Sequence, residues 1–228
     1  MPASAILPGP AVYLGNLTEG STSLQRFQAM QALGVAVEAV DYRAPLDRSN
    51  GLRLLPYRVA QYLYRKGVSL TPTPDPYGLN GKLLRVCERA KPRVVWLDKA
   101  LTVTDGTIRR VRTVSPGVVI AGYSPDDMGA RHNRSVAFDA ALPHYDIYFT
   151  TKSYNVAELE AAGCPRARFV GNAYDPAVHR PVELSEADRA RLGGGVGFIG
   201  SYEPARAADI AALGAAGIEV RIWGNDWP

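Results

Sequence analysis

Residues 123–135 read Tyr-Ser-Pro-Asp-Asp-Met-Gly-Ala-Arg-His-Asn-Arg-Ser, which sets adjacent carboxylates, Asp126 and Asp127, shortly before an imidazole, His132. Carboxylates and imidazoles are the groups that exchange a proton with a hydroxyl near neutral pH. The stretch follows the apolar run Gly117-Val-Val-Ile-Ala-Gly122. Pro125 cannot donate to a sheet and Gly129 loosens the backbone, so Asp126, Asp127, Arg131, His132 and Asn133 are expected to leave the carboxyl end of a buried strand together. Open parallel sheets bind ligands at that end. The same residues also read as a solvated loop whose aspartates cap the next helix, and locally both readings stand.

The elements that must position this loop follow a strand–helix rhythm. Ala11–Leu14 reads as a strand ending in Gly15-Asn16. Helical spacing of Leu24, Phe27, Met30 and Leu33 comes next, with Ser21 or Ser23 as cap, Gly34 as stop, and a second strand over 35–41. The loop from Gly15 to Thr22 has phosphate-loop glycine spacing without the lysine, which argues against a nucleotide triphosphatase. Its amides beside Gly20 suit an anionic or hydroxyl-rich ligand, and a tight structural turn reads equally well.

From Leu54 to Lys66, Leu55, Val59, Tyr62 and Leu63 recur at helical spacing, and the tyrosines read as core or surface cover. The segment 71–76, Thr-Pro-Thr-Pro-Asp-Pro, reads as a connector or a mobile flap. Residues 82–90 continue as a helix stopped by Pro92. Residues 94–98 then form a buried strand whose end places Asp98 and Lys99 by the same strand-end logic. A helix over 104–114 carries Arg109, Arg110 and Arg112, read as a solvated face. After a helical passage over 138–142 and a strand over 146–149, Lys152, Ser153 and Asn155 crowd another carboxyl end. A helix over 156–162 closed by Gly163 and a strand over 168–170 complete the series.

Composition fits this reading. The chain of 228 residues is 46% hydrophobic and 21% charged, enough for a large core. Its net charge of +4 is spread along the chain, so nucleic acid is not indicated. Cys87 and Cys164 stand far apart without a metal-ligand pattern and read as reduced thiols of a cytoplasmic protein. Residues 1–10 lack a signal-peptide pattern, and no run reaches the ~20 apolar residues of a membrane span. Glycines 193–195 mark a boundary, after which strand, loop, helix and strand repeat. Three regions follow: a Rossmann-like domain over 1–175, a linker over 176–195, and the start of a second α/β domain over 196–228. Two strands with one helix cannot bury both sheet faces, so a C-terminal continuation or a covering chain is expected.

Four motifs carry a resemblance: Tyr123-Ser-Pro-Asp-Asp-Met128; the run 141–155, Ala-Leu-Pro-His-Tyr-Asp-Ile-Tyr-Phe-Thr-Thr-Lys-Ser-Tyr-Asn; Asn172-Ala-Tyr-Asp-Pro176; and the run 196–206, Val-Gly-Phe-Ile-Gly-Ser-Tyr-Glu-Pro-Ala-Arg. In these the chain resembles the spore maturation protein CgeB-like glycosyltransferases. The resemblance implies an α/β fold of GT-B type, here one complete Rossmann-like parallel-sheet domain plus the start of a second. It places the acceptor on the N-terminal domain and a nucleotide-sugar, as co-substrate and with no other cofactor, on the C-terminal one. Gly200, Ser201 and Arg206 match the first phosphate-side loop, and Gly224 and Trp227 the next strand end. The later donor-binding parts are missing from this chain, so little activity is expected of it alone.

Sugar transfer builds negative charge on the leaving phosphates, which the helix start at Ser201 and Arg206 suit. An inverting enzyme also needs a base, for which Asp126, Asp127 and His132 are the candidates, while Gly15, Asn16, Asp98, Lys99, Lys152, Ser153 and Asn155 line the acceptor cleft. No Asp-x-Asp occurs and His132, His144 and His179 lack metal spacing, so metal-independent binding is expected. The other readings are a non-catalytic carbohydrate-binding or assembly module and a nucleotide-sugar epimerase.

Overall fold

The structure, a computed structural model, describes residues 9–42 and 51–228; of the N-terminus inspected for a leader, residues 1–8 lie outside it. No described helix is long and apolar enough to cross a membrane. The chain divides into two compact units, Met1–Asp175 and Pro176–Pro228.

In the first unit the strands are β1 (Ala11–Gly15), β2 (Val37–Asp41), β3 (Val94–Asp98), β4 (Val119–Ser124), β5 (Ile147–Thr150) and β6 (Ala167–Phe169). The helices are α1 (Thr22–Ala32), α2 (Gly51–Arg65), α3 (Leu79–Ala90), α4 (Asp105–Val114), α5 (Val136–Ala141) and α6 (Asn155–Ala161). The strands form a parallel sheet in the order β2-β1-β3-β4-β5-β6. This is the Rossmann-like α/β architecture. Parallel neighbours need crossover helices, and the alternating element order supplies them.

Side-chain alternation along each strand divides the sheet into two faces. One face gathers Val12, Leu14, Val95, Leu97, Ile120 and Tyr148 with Leu83 and Cys87 of α3, Ile108 and Val111 of α4, Phe138 of α5 and Leu159 of α6, all buried. The intervening positions turn Tyr13, Trp96, Tyr123 and Phe149 to the other face. Trp96 stacks there on Tyr123 and Phe149 at centroid distances of 5.9 and 5.5 Å, and Tyr13 meets Phe27 of α1 at 5.7 Å.

Helix limits follow local chemistry. Ser21 caps α1 by accepting from the Leu24 N–H at 3.1 Å, and Gly34, at φ 77°, takes the left-handed turn after it. Helix α3 starts at Leu79, earlier than its apolar spacing suggests, because Asp75 accepts from the N–H groups of Leu79 and Asn80, both at 2.9 Å. The segment holding Asp75 is a fixed connector, since Thr73 is buried and its Oγ1 accepts from the Ala137 N–H at 3.0 Å.

The second unit holds α7 (Glu186–Leu192), β7 (Val196–Ile199), α8 (Pro204–Ala215) and β8 (Val220–Trp223), with β7 and β8 parallel. Residues 176–195, read as linker from sequence, include α7. That helix belongs to the second unit: Arg221 of β8 donates to the carbonyls of Ala190 and Arg191 at its end.

Tyr64 ties α2 to the rest of the first unit. Its hydroxyl donates to Asp139 at 2.5 Å, and Arg131 stacks on its ring while donating to its carbonyl. Burial, then the bond to Asp139 and that carboxylate's charge, push the Tyr64 hydroxyl up to about 12. A folded-state value above the unfolded one, near 10 for tyrosine, contributes stability that is full below pH ~10 and is lost as pH rises toward about 12. Denaturant midpoints measured across that window should fall less steeply for Tyr64→Phe than for the parent protein. Equal slopes would deny Tyr64 this role.

Candidate functional site

The strand order reverses around β1, so the carboxyl ends of β1 and β3 flank the point at which open parallel sheets bind ligands. Here the protein fills that point itself. Asp98, 3% exposed, has its Oδ2 2.5 Å from the Tyr13 hydroxyl and accepts from Arg26 Nε and Nη2 at 2.8 and 2.7 Å. The Tyr13 oxygen also lies 2.9 Å from the Ser23 carbonyl, but its single proton serves the carboxylate, the stronger acceptor. Burial and then the Asp98 charge push the Tyr13 pKa up; burial opposes the Arg26 charge, but Asp98 more than offsets it and the Arg26 pKa also rises. The Arg26 guanidinium lies 4.3 Å from the Tyr123 ring centroid. Asp98 is thus a buried junction between β1, β3 and α1, its Oδ2 shared by Tyr13 and Arg26. Gly15 serves the same junction, since a Cβ there would stand 2.3 Å from Ser23 Oγ.

Beyond β4 the adjacent aspartates part. Asp127 Oδ1 accepts from the N–H groups of Gly129 and Ala130 and from Asn155 Nδ2 at 2.8 Å, and the Asn155 bond leads the causes that hold its carboxyl below the usual range. Asn155 is fully buried: its Nδ2 also donates to Glu158 at 2.6 Å and its Oδ1 accepts from the Met128 N–H at 2.8 Å. Asp127 and Asn155 therefore hold the loop's shape. Asp126 instead pairs with Lys99 through Oδ2, both partly exposed. His132 is exposed in a 3₁₀ turn, Arg131–Asn133, that the sequence pattern did not reveal. Lys152 is half-buried and Ser153 exposed, while Asn16 turns its Oδ1 onto the N–H and hydroxyl of Thr18. Among the described residues no His, Cys, Asp and Glu side chains cluster as a metal site would require.

An open cleft lies beside the junction, about 540 Å³ in volume. Lys99, His132 and Asn133 belong to it, and the rest of its wall was not read as a site from the sequence. One stripe of α2 supplies Tyr57, Arg58, Gln61, Tyr62 and Arg65, at i, i+3/i+4 and i+7 spacing; Tyr42 and Tyr77 face it from the loops after β2 and before α3, their rings 6.3 Å apart. Thr102, 5% exposed, forms part of the wall, and its Oγ1 is buried without a hydrogen-bond partner. Among the described residues no carboxylate lines the cleft. Burial raises the Tyr57 pKa, so its hydroxyl stays protonated at neutral pH.

In the second unit the loop after β7 closes on itself. Trp227 Nε1 donates to the Gly200 carbonyl at 2.8 Å, and a Cβ at Gly224 would stand 1.9 Å from that oxygen. Arg206 donates to the Ser201 carbonyl at 3.1 Å and pairs with Glu203 at 3.1 Å. No side chain caps α8, which starts at Pro204.

No protein-family model matches this chain, and no curated protein matches it. Among solved structures it is similar to the periplasmic domain of a lipopolysaccharide acetyltransferase from Salmonella ser. Paratyphi A. That similarity has a TM-score of 0.30 at 16% identity, over 52% of this chain and 45% of that one. The chain thus spans less than half the length of that domain.

Removing one member of a buried charge network strands the others. Asp98→Ala should destabilise the first unit by about 3–5 kcal/mol and Tyr13→Phe by about 1.5–3 kcal/mol. The double variant should fall short of the sum, because both act on one interaction. Denaturant unfolding of the three variants measures this, and strict additivity would separate Tyr13 from Asp98.

Proposed function

We propose that this chain is the acceptor-side part of a glycosyltransferase of the kind it resembles in sequence, moving a sugar from a nucleotide-sugar to a hydroxyl of a glycan or cell-surface precursor. The observation that carries the reading is the tyrosine-lined cleft at the carboxyl ends of β2, β3 and β4, with the buried, unpartnered hydroxyl of Thr102 in its wall. Aromatic faces pack on the C–H faces of sugar rings, while hydroxyl, amide and guanidinium groups meet their hydroxyls.

In this reading Asp126 takes the proton. Its Oδ1 has no hydrogen-bond partner among the described residues, and Lys99 holds its Oδ2 beside the cleft. The acceptor oxygen, relieved of its proton, bonds to the anomeric carbon of the donor. The bond from that carbon to the diphosphate oxygen breaks, and its electron pair leaves with the nucleoside diphosphate. Asp127 is the poorer base of the two aspartates, because the bonds from Asn155 and from the Gly129 and Ala130 N–H groups to its Oδ1 hold its carboxyl below the usual range. His132, exposed on the cleft, is the other group able to move a proton there.

The assay, run on the full-length protein, is release of nucleoside diphosphate from nucleotide-sugars in the presence of glycan acceptors, with and without a chelator. Chelator should leave the rate unchanged. Asp126→Asn should lower it by about 10²- to 10⁴-fold, the usual span for a lost general base. Thr102→Val should hold or raise the melting temperature, since it removes a buried unpartnered hydroxyl, while weakening glycan binding. Glycan binding without any release would make the chain a carbohydrate-binding module, and donor inversion without an acceptor would make it an epimerase.

A further inference from the structure

The charges of the cleft say what kind of saccharide it suits. Among the described residues its formal charges are all positive: Arg58, Arg65 and Lys99. Lys99 is matched by Asp126, whereas Arg58 and Arg65 have no carboxylate partner among the described residues. They sit seven positions apart on α2, two turns or roughly 10 Å along one face, with Gln61 and Tyr62 between them on the same wall. A neutral glycan would leave both guanidinium groups facing a concave, partly apolar wall with nothing to neutralise them, where charge is screened less than on an open surface. An anion bound there meets planar donors arranged for bidentate contact.

We propose that the cleft takes a saccharide carrying an anionic group, a carboxylate or a phosphate ester, with its ring against the tyrosines and its charge on Arg58 and Arg65. This rests on the acceptor reading above and narrows it. Thr102 Oγ1 fits the same ligand, because a hydroxylated ring supplies the partner the protein does not.

The test is calorimetric titration of the protein with digalacturonate, lactose 1-phosphate, neutral lactose and inorganic phosphate. At least one anionic saccharide should bind about tenfold or more tightly than both lactose and inorganic phosphate, and which of the two wins tells carboxylate from phosphate ester. Added salt should reduce the preference. Arg58→Gln and Arg65→Gln, at exposed positions, should each lower affinity for the preferred ligand about tenfold and leave lactose unchanged, while Arg58→Lys should retain part of the preference. Lactose binding as tightly as the charged sugars overturns this inference and leaves the acceptor reading standing. Inorganic phosphate binding as tightly as lactose 1-phosphate, with digalacturonate unbound, overturns it too, by removing the sugar from the recognition. Failure of every saccharide to bind overturns both.

Discussion

A carboxylate that is 3% exposed must have its charge met by the protein, and Asp98 meets it with Tyr13 from the neighbouring strand and Arg26 from α1. That demand fixes more than one bond. It sets the rotation of α1 on the sheet, which in turn lays the Arg26 guanidinium on Tyr123. It also fixes the end of β3, so that the next residue, Lys99, turns at φ 47° while its N–H bonds the Tyr123 carbonyl at 2.8 Å. Turned that way, Lys99 reaches Asp126 across the ends of β3 and β4. The position of the proposed base is therefore a consequence of where Asp98 is held.

Adjacent residues, Asp126 and Asp127, take different parts in the loop. Asp127 closes a turn over Gly129 and Ala130 and clasps Asn155 on α6, which leaves Met128 fully buried between them. Close approach explains the glycine as well, since a Cβ at position 129 would stand 2.2 Å from Glu158 Oε2. With Asp127 committed to the backbone, the loop becomes a rigid mount, and Asp126 is presented by it. Neither aspartate caps the next helix, whose cap is Ser135: Asp127 closes a turn instead, and the strand-end reading remains for Asp126.

Much of the fold was legible because its signals are local. Buried parallel strands read as short apolar runs, and serine caps and left-handed glycines mark helix ends at Ser21, Gly34 and Gly163. Boundaries shifted where a side chain from outside the apolar pattern intervened, as Asp75 does ahead of α3. The strand-end rule named Asp98, Asp126, Asp127, Lys152 and Asn155 without distinguishing a buried junction from an open wall, because that depends on partners far along the chain. Tyr13 and Asp98 are 85 positions apart, and Tyr13 sits in an apolar run where its hydroxyl carries no pattern. The α2 stripe is different. Tyr57, Arg58, Gln61, Tyr62 and Arg65 share a face by simple helical spacing, but following only the apolar residues of the helix passes over the polar side that lines the cleft.

The charged junction and the cleft wall differ in how far their buried polar groups are satisfied. At the junction, Asp98, Tyr13 and Arg26 meet one another, and Asn155 uses both ends of its amide. Such groups stabilise the fold because their bonds already exist without a ligand. Thr102 is buried to a similar degree, yet its hydroxyl has no partner. Leaving a buried hydroxyl unpaired costs about 1–3 kcal/mol, so the fold would be more stable with valine there; the Trp96 indole N–H, on the sheet face beside Tyr123 and Phe149, is also buried without a partner, but it lies outside the cleft wall. Placed in a wall with tyrosines and two guanidinium groups unmatched among the described residues, the hydroxyl has a use only when something hydroxylated enters. That asymmetry, rather than the count of polar residues at strand ends, directs attention from the switch point itself to the cleft beside it.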